Sequence, residues 1–217
     1  MKKNNKGFSL IELIIVIAII AILIGIMVPQ LIKYVYSAKK SADIQTADAI
    51  GSVFSELMYD VTDPGGRALY EYISTSSNDY KNYGKTFTPE KRLRVIAMLN
   101  CGQGKNPRHN LQITGSRGYN YKDKALIDEF LLDACDHIQD LQFTKEGSMD
   151  CFCICCDGDM NIYITVGGGV NDRTDHIDSV GDGVYKDPGN GSYYQYLVYP
   201  TVSTEYLKLR TPNDAKH

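Results

Sequence analysis

From Leu13 to Ile32 the chain runs for 20 residues without a charge, and 17 of them are hydrophobic; the exceptions are Gly25, Pro29 and Gln30. As an α-helix at 1.5 Å per residue, this stretch spans roughly 30 Å, the hydrocarbon thickness of a bilayer. It is longer than the apolar core of a cleavable secretory signal, and Pro29-Gln30-Leu31-Ile32-Lys33 follows it without a small-residue cleavage site. A plain membrane anchor fits the length but leaves one residue to explain. Glu12 places a carboxylate at the entrance of the apolar run. At the bilayer centre such a group costs about 2.5–3.5 kcal/mol, and less near the interface. Either Glu12 sits at headgroup depth or it has a partner.

The whole-chain averages hide this segment. In 217 residues, 43% hydrophobic and 23% charged, with a formal charge of −3, there is room for one domain with an extension. The near balance of charge lacks the clustered basic surplus of a nucleic-acid binder, so no nucleic-acid partner is expected. The apolar content excludes wholesale disorder, and six cysteines are too dilute for a cysteine-dense secreted mini-fold. No segment recurs at a fixed period, which argues against solenoids and propellers.

The residues around Glu12 are the most specific in the chain. Lys6-Gly7-Phe8-Ser9-Leu10-Ile11-Glu12 closely resembles the processing site of type IV prepilins. In that family a short basic leader ends in glycine, the mature chain begins with phenylalanine, and glutamate is its fifth residue. Gly7, Phe8 and Glu12 match at that spacing, directly before an apolar helix, and Pro29 sits where many type IVa pilins carry a helix-breaking proline. The resemblance covers about the first 60 residues.

It implies cleavage by a prepilin peptidase between Gly7 and Phe8 and N-methylation of Phe8. It implies residence in the cytoplasmic membrane as a single-pass protein, then polymerisation with copies of itself into an extracellular filament. Loss of Lys2, Lys3 and Lys6 with the leader takes the formal charge from −3 to −6. Glu12 would then neutralise the amino terminus of an adjacent subunit. At about 4 Å and an effective dielectric near 20 that attraction is on the order of 4 kcal/mol before desolvation. Gly25 and Pro29 lie four apart, so the proline lacks the donor for the Gly25 carbonyl and crowds it, and a kink or local opening is expected there. Cytoplasmic leader and external body rest on the resemblance, since lysine counts on the two sides of the span nearly tie.

Beyond the span, Val35, Ala38, Ala42, Ala49, Val53 and Leu57 recur at three- and four-residue steps, with Ile50, Phe54 and Met58 widening the stripe and Lys39, Lys40, Asp43, Asp48 and Glu56 mostly away from it. One helix is expected from about Phe8 to Met58, stopped by Asp63-Pro64-Gly65-Gly66. A tyrosine-rich connection follows through Tyr70, Tyr72, Tyr80 and Tyr83. Thr88-Pro89-Glu90 reads as the start of a short helix carrying Leu93, Ile96, Ala97 and Met98, and Asp123 as the cap of a second carrying Leu126 to Ile138. Cys151–Cys156 and Met160–Val166 around Asp157-Gly158-Asp159 read as a hairpin. Tyr193 to Val202 reads as a third strand, placed at an edge by Pro200, and Glu205 to Leu209 as a fourth. The expected fold is α+β and pilin-like: a long N-terminal helix packed on a C-terminal antiparallel β-sheet. The segments are a leader (1–7), a hydrophobic helix (8–32), its amphipathic continuation (33–60), a loop region with two short helices (61–148) and the sheet with an acidic Gly/Asp-rich loop (149–217).

Cys151, Cys153 and Cys155 alternate onto one face of a strand and Cys156 onto the other, so one strand cannot close a tetrahedral metal site. In an external protein these residues are candidate disulfide partners, with Cys101 and Cys135, in a pairing the sequence does not choose; buried free thiols are the alternative. The family's C-terminal disulfide staple has no counterpart, since no cysteine follows Cys156. Asp172, Asp175, Asp178 and Asp182, together with Asp187, form an oxygen-rich loop that could take calcium, as in some secretion pseudopilins, although the EF-hand spacing is absent. A solvated acidic loop is the plainer reading. His109, His137, His176 and His217 stand in unrelated contexts, and no catalytic or phosphate-loop motif occurs. No catalysis and no cofactor are expected. The expected function is therefore that of a structural pilin, whose filament would serve adhesion or motility. A minor pilin or secretion or competence pseudopilin is the alternative within the family, and a monomeric membrane-anchored binding module the alternative outside it.

Overall fold

A computed structural model describes residues 8–60, 62–75, 87–100, 111–113, 121–138, 151–168, 176–188 and 194–209. The chain divides into two compact units, Met1–Ala38 and Lys39–His217. Helix α1, Leu10–Met58, contributes to both.

In the first unit, every large apolar side chain from Leu10 to Ile32 is at least 43% exposed, a surface that the described residues of this unit leave uncovered. The helix is long and apolar enough to cross a membrane. The helix continues through Gly25 and Pro29. One missing donor at Pro29 is outweighed by the helix-competent residues on either side.

In the second unit, α1 buries Asp43, Ala47, Ile50, Gly51, Phe54 and Met58. The buried stripe is thus rotated from the expected one: Ala49 is exposed, Val53 and Leu57 are only partly covered, and Asp43 lies inside. Asp63 does not stop a helix but starts one. Its Oδ1 accepts the amide protons of Gly65 and Gly66 at 2.7 and 2.9 Å, which makes it the N-cap of α2, Pro64–Thr75, with Pro64 in the first turn. The glycines serve close packing against α3, Tyr121–Asp136: a Cβ on Gly66 would meet the Phe130 ring at 3.1 Å.

Among the described residues, seven strands follow one antiparallel scheme. They are β1 (Arg92–Asn100), β2 (Leu111–Ile113), β3 (Cys151–Cys156), β4 (Ile162–Gly167), β5 (His176–Gly181), β6 (Val184–Lys186) and β7 (Tyr194–Tyr199). Pairing runs β1-β3-β4-β7-β6-β5, and β5 returns to β1 through Arg92↔Asp178, Leu93↔Ile177 and Arg94↔His176. Six strands therefore close into a barrel, and β2 adds to β1 outside it. This replaces the expected pilin-like open sheet, although the α+β class stands. The closing strands come from the stretch read as an acidic loop. There β5 and β6 form a hairpin around Gly181, Asp182 and Gly183, all at positive φ (105°, 53° and 70°), where glycine and aspartate are at home.

Three further expectations change. The Leu93–Met98 segment is strand β1, not a helix. The Thr88 carbonyl accepts from Lys91 and Arg92 in a single turn, after which the chain extends. Residues 93–99 are all buried, so neither helical nor alternating periodicity marks the strand. Strand β7 is not an edge: it pairs with β4 and β6, and Pro200 follows its last residue, where no ladder bond is needed. Glu205–Leu209 is not a strand. Thr204–Lys208 forms a one-turn helix, α4, because the Ser203 hydroxyl caps the Tyr206 amide at 3.1 Å. The hairpin β3–β4 lies where the sequence placed it, and α3 does so apart from its start: it begins at Tyr121, so Asp123 is inside the helix and not its cap.

The barrel interior is filled by Leu93, Val95, Met98, Cys151, Cys153, Cys155, Ile177, Tyr185 and Leu197. Within it, Thr165 donates to the Gln195 side-chain oxygen at 3.0 Å, and the Gln195 amide donates to the Gly168 carbonyl, so this polar pair is satisfied without water. Bulges in β1 between Val95 and Ala97, in β7 between Leu197 and Tyr199, and in β5 before Gly181 supply the curvature that closure demands.

Candidate functional site

The N-terminal end of α1 is built from its capping chemistry. Phe8 and Ser9 precede the helix, and Phe8 is 79% exposed. The Ser9 carbonyl accepts from the Leu13 amide at 3.2 Å, which sets Ser9 as the N-cap and Glu12 as the third helical residue. From there the Glu12 carboxylate reaches back and accepts the Ser9 amide proton at 2.9 Å. This is the reciprocal half of a capping box, and it also puts a negative charge at the positive end of the helix dipole. In the single chain, then, Glu12 has local work. A carboxylate that already organises the first turn also presents charge beside the point where the resemblance puts the new amino terminus. Gly7 lies outside the described residues. Gly25 has no neighbour within 4 Å of where a Cβ would stand, and Pro29 lies within the same uncovered surface.

A family model described as the prokaryotic N-terminal methylation motif matches residues 2–28. The chain carries the type IV prepilin-like processing motif. The match takes in Gly7, Phe8 and Glu12 and most of the apolar run, and it stops before the body. No solved structure matches the chain. The prepilin-type motif and the apolar helix together fit membrane anchoring and handling by a prepilin peptidase, and the family it marks is structural rather than enzymatic.

The other singled-out residues fall into three groups. Cys135, Cys151, Cys153, Cys155 and Cys156 are buried thiols, and none of these five forms a disulfide; Cys101 lies outside the described residues. Burial pushes the thiol pKa of Cys155 well up and that of Cys156 to about 12, which keeps both protonated and inert. Of the aspartates, Asp172 and Asp175 lie outside the described residues. Asp178 pairs with Arg92 across the barrel seam at 3.1 Å, and Asp182 occupies the β5–β6 turn. Among the described residues, no group of three or more His, Cys, Asp or Glu is arranged to hold a metal ion. His137 is exposed just past α3, His176 sits edge-on to Phe87, and His109 and His217 lie outside the described residues.

Two buried carboxylates escaped the sequence reading. Asp157 anchors the β3–β4 turn, and Asp43 bonds the Tyr206 hydroxyl at 2.9 Å. Asp43 was signalled by its spacing to Ala47, Ile50 and Phe54, which puts it on the same helical stripe. Its polar character masked that signal.

Proposed function

We propose that this chain is a structural subunit of a type IV pilus-like filament. It is made as a precursor, cut between Gly7 and Phe8, N-methylated on Phe8, and polymerised with copies of itself through α1. One observation carries the reading. The processing motif opens onto a capped helix whose apolar side chains stand exposed among the described residues. Such a surface needs lipid or other copies of the helix, and a polymer that draws its subunits from the membrane supplies each in turn. The carboxylate of Glu12 sets the axial register by meeting a neighbour's terminal amine, and Gly25 and Pro29 mark where the helix yields on assembly. The body, carrying the net negative charge, faces outward.

N-terminal sequencing of the mature protein tests the processing step, with methylated phenylalanine as the expected first residue and an intact Met1 as the refutation. Electron microscopy of surface filaments labelled for this chain tests the rest. Label along the full length of long fibres is the expected result. Label confined to tips or to short fibres would assign a minor-pilin or pseudopilin place instead.

A further inference from the structure

The described part of the second unit begins and ends at one spot. Lys40, its second residue, donates from Nζ to the carbonyls of Leu207 and Leu209, both at 2.8 Å. These are the terminal carbonyls that a one-turn helix leaves without partners, at the end of α4 where a cation is favoured. Three residues on along α1, Asp43 accepts from the Tyr206 hydroxyl at 2.9 Å, with both residues buried. The Tyr206 ring stands 6.0 Å from the Lys40 ammonium and packs beside Tyr196 of β7. The start of α4 is tied to the barrel as well, since the Ser203 amide donates to the Leu197 carbonyl at 2.8 Å.

A helix of five residues has no stability of its own, so α4 persists because of these ties. They link positions 163 to 169 residues apart. Burial lowers the Lys40 pKa, as expected of an ammonium that has given up water for protein carbonyls. Load entering the body along α1 and leaving towards the C-terminus is applied directly across these bonds, before it reaches any strand of the barrel.

We propose that α4 is a clasp: Lys40 and Asp43 of α1 grip it so that the two chain ends of the body are locked together, and the barrel is shielded from pulling or fraying that starts at either end. That such load arises in life rests on the filament reading; the clasp itself does not.

The test is constant-force stretching of the detergent-solubilised full-length precursor, held by its N- and C-termini. The variants are Lys40→Met and Tyr206→Phe, with Lys33→Met, outside the clasp, as control. In the wild type a first rupture should precede barrel opening. Both clasp variants should shorten the wait for that first rupture roughly ten- to a hundredfold, as expected for loss of a hydrogen bond to a charged group. The later barrel event should be unchanged and reports that the variant is folded. Tyr206→Phe removes a single oxygen atom, so it answers the question even where Lys40→Met perturbs folding. Unchanged first-rupture times in Tyr206→Phe, or a wild-type barrel that opens before any earlier event, would overturn the clasp. Filament formation by the same variants in cells is scored separately, so failure of the filament reading is visible without touching the result on the monomer.

Discussion

The ring of Tyr199 packs against the backbone of Gly51. A Cβ at position 51 would stand 2.6 Å from both Cγ and Cε1 of that ring, and one turn further along α1 the Ser55 hydroxyl sits 3.4 Å from the Tyr199 hydroxyl. By propensity alone, alanine at a mid-helix glycine stabilises by about 1 kcal/mol. Packing opposes it here, because overfilling a seated contact costs about 1–3 kcal/mol. Gly51→Ala should therefore lower the urea midpoint of the body. In a Tyr199→Ala background the same change should be neutral or stabilising, because the ring is gone. A stabilising Gly51→Ala in the wild-type background would mean that the ring is not seated there.

Asp157 gathers the β3–β4 turn. Its carboxylate accepts from the Asp159 and Asn161 amides and the Asn161 side chain, each at 2.9 Å, and from the Tyr163 hydroxyl at 3.0 Å. Loss of one partner that serves four donors is costlier than loss of any one donor. Asp157→Ala should destabilise by roughly 2–4 kcal/mol and Tyr163→Phe by about 1–2 kcal/mol. Denaturant unfolding of the three proteins checks the order. Equal effects would mean that the backbone bonds contribute little.

That turn also shows what the sequence carried and what it did not. Asp-Gly between β-prone runs located the hairpin because the turn is local chemistry. The same holds for α3 and α1, each to within two residues at its start. Where the reading failed, two patterns shared one composition. Asp63-Pro64-Gly65-Gly66 stops a helix or caps one, and the choice is made by the Phe130 side chain of α3, distant in sequence. Buried on both faces, β1 gave no period to read. Closure of the barrel depends on β5 meeting β1 across more than 80 intervening positions, through three pairs that no local pattern announces. The N-terminal site was legible because processing acts on a short linear segment, and the capping role of Glu12 was not, because it needs the atom positions of Ser9.

The buried thiols set a prediction for alkaline pH. In the unfolded chain Cys156 ionises near its ordinary value of 9.0, and in the folded chain near 12, because burial disfavours the thiolate. Cys155, Tyr163 and Tyr185 are shifted upward as well, chiefly by burial. The folded state therefore holds protons that the unfolded state has released. Stability is intact below about pH 9 and falls as pH rises towards 12, by up to about 1.4 kcal/mol per pH unit for the fully buried Cys156 thiol. Urea midpoints measured across that range should decline, and Cys156→Val should make the decline shallower. Mass mapping at neutral pH should find Cys151, Cys153, Cys155 and Cys156 unreactive to a soluble alkylating agent until the protein is unfolded.

Glu12 has two roles to separate, and the amide isostere separates them. If its work were only to accept the Ser9 amide proton, Glu12→Gln would keep that bond and behave as wild type, while Glu12→Ala would lose about 0.5–1 kcal/mol from the first helical turn. If its charge also meets the terminal amine of a neighbouring subunit, Glu12→Gln fails as Glu12→Ala does, because a neutral amide cannot offset a buried cation. The proposed function requires the second pattern. Both variants should be cut after Gly7 at the wild-type rate, as read by the mass of the mature chain. Filament yield in both should fall at least about tenfold, which corresponds to about 1.4 kcal/mol per subunit added. Normal filaments from Glu12→Gln would leave the carboxylate as a helix cap alone, and the axial register would then have to come from the apolar faces of α1.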